Sequence, residues 1–208
     1  MGLNKELVVF SGGKLVCVEK LTNASFTGFV LACLASGALA QPRCSALEVP
    51  IRRAEPPPSQ YVLFCESHPN DCALSGDAVL SSNPSLHSLL FTVNEAVNAD
   101  VEFVPDMERL GIEEQWEFPQ NCRGDCEDFA LEKRRRLVEA GLSSASLTMA
   151  IVHHEVQFFP HAVLLVEMNT GTWVLDNLYD EVMCWDAVPY RYERREQPNG
   201  EWLRFAQF

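Results

Sequence analysis

Two helical repeats followed by a series of alternating segments divide the chain. Leu86, Leu89, Leu90, Val93 and Val97 recur at the spacing of one helix face, behind Asn83-Pro84. Asparagine caps well and proline presets the first turn, so a helix is predicted from Pro84 through Asn98. A second is predicted from Cys126 to Gly141, with Asp125 as N-cap, Asp128 at the capping-box position and Gly141 as a left-handed stop. Phe129, Leu137 and Ala140 give it a narrow apolar stripe. Lys133 to Arg136 reads as a solvated face, its charge suited to the C-terminal half of a helix. Strand patterns then run over Ser146–Val152, His161–Glu167, Thr172–Leu178 and Tyr190–Arg194, with Asn169-Thr170-Gly171 as a hairpin turn. Val101–Val104 is a brief strand, and residues 105–123 read as a loop anchored by Trp116 and Pro119. Helices first and strands after predict an α+β fold with an antiparallel sheet.

The N-terminal part follows a different logic. Lys5, Lys14 and Lys20 lie in a polar lead, Phe26–Leu39 is an apolar run, and Ala38-Leu39-Ala40 places small residues where a signal peptidase reads. Residues 1–40 are therefore expected to be a signal peptide cut before Gln41, with the lead long enough to place the true start further downstream. A retained anchor is the rival, although the run is short for a spanning helix. Val30-Leu31-Ala32-Cys33 has the outline of a lipidation site with too brief an apolar run before it. Residues 41–60 carry Pro42, Pro50 and Pro56-Pro57-Pro58 and read as a Pro-rich linker or wrapping arm, leaving 61–208 as the domain.

Charge narrows the partners. With 16 Lys and Arg against 29 Asp and Glu, the formal net charge is −13. Nucleic acid needs a basic face and is excluded as a main partner, and stable membrane insertion is not expected once the leader is gone. Eight cysteines suit an exported protein, periplasmic or secreted. Cys65 and Cys72 bracket a short polar loop and are the expected disulfide, with Cys122–Cys184 as a second bridge and the pairing of Cys44 open. Zinc is a poor reading, since a second close pair with suitable ligands is lacking. His153 and His154 are adjacent on a strand and face opposite ways, which disfavours a shared metal.

The remaining chemistry converges on three residues. Cys126 opens a helix within Gly124-Asp125-Cys126-Glu127-Asp128, where backbone amides and the helix dipole favour a thiolate. His161 opens one strand and Asp176 lies on the next. In a hairpin with an even-numbered loop, cross-strand partners sum to an odd number, as 161 and 176 do, so both side chains can share a face. Cysteine as nucleophile, histidine as base and aspartate to orient it form an acyl-transfer set. Gln120 and Trp116 are candidate oxyanion donors beside the Cys126 amide. The acids around the thiol oppose its ionisation. Either they cap the helix or a cation neutralises them; capping accounts for Asp125 and Asp128 but not Glu127, and calcium favours such oxygens.

These residues resemble the bacterial transglutaminase-like cysteine proteinases, of the papain/transglutaminase superfamily. The resemblance spans Val62 to Phe205. It rests on Phe64-Cys65 with Cys72, Val93-Asn94 with Val97-Asn98, Trp116 with Pro119, and above all Gly124–Phe129, His161-Ala162-Val163-Leu164 and Val174-Leu175-Asp176-Asn177. Tyr190–Arg195 and Trp202 fit the family's tail. The resemblance implies a papain-like core, a Cys126–His161–Asp176 triad, export, and a protein substrate at the cell surface or in the periplasm. The best-known relatives are calcium-dependent proteases that cut a surface adhesin, and it implies Asp125 and Glu127 as calcium ligands. The Cys65/Cys72 pair and the tail depart toward a shorter branch. An exported cysteine peptidase is the expected function. The alternatives are transglutaminase-type transfer to an amine and a non-catalytic binding module on the same scaffold.

Overall fold

Asn83 accepts the Leu86 amide at 2.9 Å and starts a helix at Pro84 that buries Leu86, Leu90, Val93, Asn94 and Val97 on one side. The structure, a computed structural model, describes residues 5–10, 14–19, 43–47 and 50–206. Its helices are α1 (Ser59–Ser67), α2 (Pro69–Cys72), α3 (Pro84–Asp100), α4 (Asp106–Arg109) and α5 (Cys126–Glu139). Its strands are β1 (Lys5–Phe10), β2 (Lys14–Glu19), β3 (Ile51–Glu55), β4 (Glu102–Phe103), β5 (Arg123–Gly124), β6 (Leu147–His154), β7 (Pro160–Met168), β8 (Gly171–Leu175), β9 (Met183–Cys184), β10 (Tyr190–Glu196) and β11 (Trp202–Phe205).

Seven strands form one antiparallel sheet in the order β3-β11-β10-β6-β7-β8-β9. This is the α+β arrangement the pattern predicts. Strand alternation divides the core between the two faces. Leu147, Met149, Leu164, Val166, Trp173 and Leu175 pack with α1, α3 and α5 on one face. Ala150, Val152, Val163, Leu165, Val174 and Tyr192 pack on the other.

Helix α5 ends as expected. Gly141 sits at φ +96°, with Gly141 N–H to Val138 O (2.9 Å) and Leu142 N–H to Leu137 O (3.1 Å) closing a Schellman stop. The solvated face predicted for Lys133–Arg136 is wrong in its first half. Lys133 and Arg134 are buried, because α5 lies in the core cluster on the helix-covered face and has little solvent-facing side. Arg134 meets Glu196 at 2.8 Å and the Tyr61 hydroxyl at 3.1 Å, so distant partners satisfy it.

The Pro-rich arm is held rather than free. Ile51–Glu55 pairs with β11 at the sheet edge, and Cys44 N–H donates to Thr170 O at 2.7 Å. Disulfides join Cys65 to Cys72 and Cys44 to Cys184. The first is as predicted; the expected Cys122–Cys184 pair is overturned, since the arm carries Cys44 along β8 to β9. Cys122 is itself disulfide-bonded.

The region of the predicted leader contains the antiparallel pair β1–β2. Its apolar run Phe26–Leu39 and the cut before Gln41 lie outside the described residues. Among the described residues no helix is long and apolar enough to cross a membrane.

Candidate active site

The end of β7 nearest His161 and the N-terminus of α5 build the site. Gly124 precedes the N-cap because Asp128 folds back over it: a Cβ there would lie 2.7 Å from the Asp128 side chain. With that space, the Asp128 carboxylate reaches the Asp125 amide (3.4 Å) and the Glu117 amide (3.0 Å), tying the preceding loop to the helix start. Cys126 follows as the first helical residue, a half-buried free thiol.

The β7–β8 hairpin has a two-residue loop and pairs Leu164 with Leu175 and Met168 with Gly171. In that register His161 and Asp176 are diagonal neighbours on the same side, as parity requires. His161 Nε2 bonds Asp176 Oδ1 at 2.8 Å, and both residues are buried. Nε2 is thus committed to the carboxylate, and Nδ1 is the nitrogen left to serve a thiol. Asp176 lies just past β8 in a loop that α3 pins. Asn94 accepts the Asp176 amide (3.1 Å) and donates to the Tyr179 and Asp180 carbonyls. Asn98, one turn on, donates to the Asp176 carbonyl (3.0 Å) and to Asp180 Oδ1 (3.0 Å). Burial pushes the Asp176 carboxyl upward, but bonds from His161, Tyr190 and the Leu178 amide outweigh it and hold it below the usual range.

The thiol stands in a hostile field. Its hydrogen goes to Glu127 Oε2 (3.2 Å), not to His161. Burial first, then the neighbouring Glu127, push the Cys126 thiol well above its ordinary value, while a hydrogen bond from the Ala162 backbone works the other way. Burial, then Asp125, raise Glu127 to about 10; burial also raises Asp125, and raises Asp128 to about 8. One half-buried cation answers part of this charge. Arg109 of α4 bonds Asp106 (2.6 Å), Asp128 (3.0 Å) and Glu117.

Asp106, Asp125 and Glu127 bring carboxylate oxygens within 4.8 Å of one another. Asp125 Oδ1 and Glu127 Oε1 are buried with no hydrogen-bond partner. Two unpaired buried oxygens, one from Asp125 and one from Glu127, with the Asp106 carboxylate beside them, fit a hard divalent cation. The sequence pointed to Asp125 and Glu127 but missed Asp106 and Arg109. Their segment reads locally only as a loop, and the β4–β5 pairing carries it to the helix start.

The two oxyanion candidates are placed differently. The Trp116 indole N–H is taken by Glu114 (2.8 Å) in a buried setting, which removes it from that role in this arrangement. Exposed Gln120 donates one amide hydrogen to the Phe118 carbonyl (3.1 Å), leaving the other. His153 bonds Glu193 (2.7 Å) while His154 turns its Nδ1 to the Val156 and Gln157 amides, so the two do not share a site. Lys133, two turns beyond Cys126, is fully buried without a hydrogen-bond partner, in the field of Asp176 and Asp180.

A thiol on a helix N-terminus, backed by a sheet that offers a carboxylate-held imidazole, defines the papain/transglutaminase class of thiol enzymes. The profile of the bacterial transglutaminase-like cysteine proteinases (BTLCP) matches residues 51–207. The chain belongs to that family, and it is a cysteine protease. Calcium-bound LapG from Legionella pneumophila is similar over 59% of this chain and 71% of its own, at 23% identity and a TM-score of 0.50. A second LapG structure from that organism, at 24% identity, covers 59% and 71% with a TM-score of 0.50. Among curated proteins, none matches the chain.

Proposed function

We propose that the protein is an exported endopeptidase that opens peptide bonds of a cell-surface or periplasmic protein through a thioester at Cys126. The observation that carries this reading is the His161–Asp176 bond of 2.8 Å at the start of the strand whose Ala162 amide reaches the Cys126 sulfur. His161 accepts the thiol proton through Nδ1, and the sulfur adds to the peptide carbonyl. The Cys126 amide, unpaired at the first turn of α5, faces the oxyanion, and Gln120 keeps a free amide hydrogen for the same role. The protonated imidazole then gives its proton to the leaving amine. Water, deprotonated by His161, attacks the thioester and restores the thiol. Asp176 holds the imidazole throughout.

Calcium belongs to this reading. Asp106, Asp125 and Glu127 would hold it, with the two unpaired oxygens as the strongest support. Bound there, it supplies the positive charge that a thiolate among carboxylates lacks. Export is supported by disulfides such as Cys44–Cys184 and Cys65–Cys72, which persist in oxidising compartments.

The test is mass spectrometry of new protein N-termini after mixing the calcium-treated protein with cell-envelope proteins. New termini should appear with wild type, fall about 10³-fold or more with Cys126→Ala, and fall with chelator or Glu127→Gln. A labelled amine in the same mixture reads transfer against hydrolysis. The same termini from Cys126→Ala would remove the peptidase assignment to this thiol, and indifference to chelator would remove calcium.

A further inference from the structure

We propose that Tyr190 is a positioning residue of this site, its hydroxyl holding the second oxygen of Asp176 and its ring holding the imidazole of His161. The proposal rests on the Cys126–His161–Asp176 reading above.

The Asp176 carboxylate is almost wholly removed from water, and each oxygen has a donor. Oδ1 takes the His161 Nε2–H (2.8 Å) and the Leu178 amide (3.0 Å). Oδ2 takes the Tyr190 hydroxyl. A carboxylate held through one oxygen can still turn about its own bond; holding both fixes its plane, and with it the direction in which Oδ1 meets the imidazole. In a dry setting such bonds reinforce one another, and the loss of one leaves a buried acceptor unpaired.

The ring of Tyr190 acts on the histidine directly. Its centroid lies 5.7 Å from that of His161 and 5.5 Å from that of His154. Phe159 completes the enclosure, 5.9 Å from His161 and 5.2 Å from His154. The imidazole is therefore flanked by two aromatic rings, one tilted and one edge-on, and can tip toward them only by displacing them. The wall is itself fixed: Tyr190 pairs with His154 across β10 and β6, and His154 Nδ1 accepts the amides of Val156 (3.2 Å) and Gln157 (3.3 Å) in the β6–β7 turn. One side chain thus joins the third strand of the site to both the acid and the base.

A double-mutant cycle on the full chain tests this, reading the rate of Cys126 alkylation by iodoacetamide and the side-chain N–H resonance of His161 in ¹⁵N-labelled protein. Tyr190→Phe keeps the ring and removes only the hydroxyl. It should slow alkylation about tenfold and move the His161 Nε2–H resonance. Asp176→Asn should slow it further, and adding Tyr190→Phe on that background should change the rate less than about twofold, because the hydroxyl works through the carboxylate. Full additivity of the two changes, or an unmoved resonance with a wild-type rate in Tyr190→Phe, would overturn the proposal while leaving the site reading intact, provided His161→Ala is slow. A wild-type rate in His161→Ala would overturn both.

Discussion

Lys133 is expensive where it stands. Its ammonium is buried without a hydrogen-bond partner, 5.9 Å from the Phe129 ring centre, and burial lowers it to about 7 against the pull of Asp176 and Asp180. Below pH 7 the lysine is charged in both the folded and unfolded chain, and the burial cost is present in full. Between pH 7 and its ordinary value of 10.5 the unfolded chain binds more protons, so this residue's share of stability rises with pH. Lys133→Met should therefore be more stable than wild type at pH 6 by roughly 2–4 kcal/mol. The gain should shrink as pH rises toward 10, read by urea midpoints. The same change removes the positive charge facing Asp176, so peptide release should fall as stability rises. A loss of stability at pH 6 would show that Lys133 serves the fold rather than the site. Residues of this kind mark the limit of legibility. Cys126, His161 and Asp176 carry their meaning in local motifs. Lys133, Asp106, Arg109 and Tyr190 acquire theirs only from neighbours that the fold brings to them.

Helix α5 shows the same limit one level up. Its ends were readable because caps are local: Asp125 and Asp128 at one end, Gly141 at the other. Its burial was not, since a Lys-Arg-Arg-Arg run looks solvated until β10 supplies Glu196 and α3 supplies Asp100. Helix α3 was readable through its period, whereas β3 and β11 were missed. Ile51–Glu55 is a largely exposed edge with two arginines, and Trp202–Phe205 is too short to show alternation. The Arg134–Glu196 pair ties α5 to β10, and Tyr61 Oη donates to Glu196 at 2.6 Å from α1. Both charges are buried, so removing one strands the other. Glu196→Ala should cost about 3–5 kcal/mol. Arg134→Met with Glu196→Leu should recover most of it, because an apolar pair leaves no charge unpaired. Chemical denaturation of the two variants against wild type checks this, and a double variant as weak as the single one would mean packing, not charge, is at stake.

At the scale of the whole molecule, the Pro-rich arm and the sheet are one structure. Ser45 O accepts the Thr172 amide (3.1 Å), the Leu47 amide reaches Thr172 Oγ1 (2.9 Å), and Gly171 leaves room for the arm, since a Cβ there would meet Cys44 O at 2.4 Å. The Cys44–Cys184 bridge locks that contact across a sequence separation of 140, while Cys65–Cys72 closes a separation of only 7. Loop-closure entropy makes the two unequal: about 5 kcal/mol for the long bridge and about 2.5 kcal/mol for the short one. Replacing Cys44 and Cys184 by serine should thus lower the thermal midpoint clearly more than replacing Cys65 and Cys72. The long bridge also anchors the β9 end of the segment that begins at Asp176, the loop that α3 holds in place. The serine pair at 44 and 184 should accordingly loosen the site as well as the fold, slowing iodoacetamide alkylation of Cys126 at temperatures where the protein is still folded. Equal midpoints for the two serine pairs would mean the arm is held by its hydrogen bonds and needs no covalent tie.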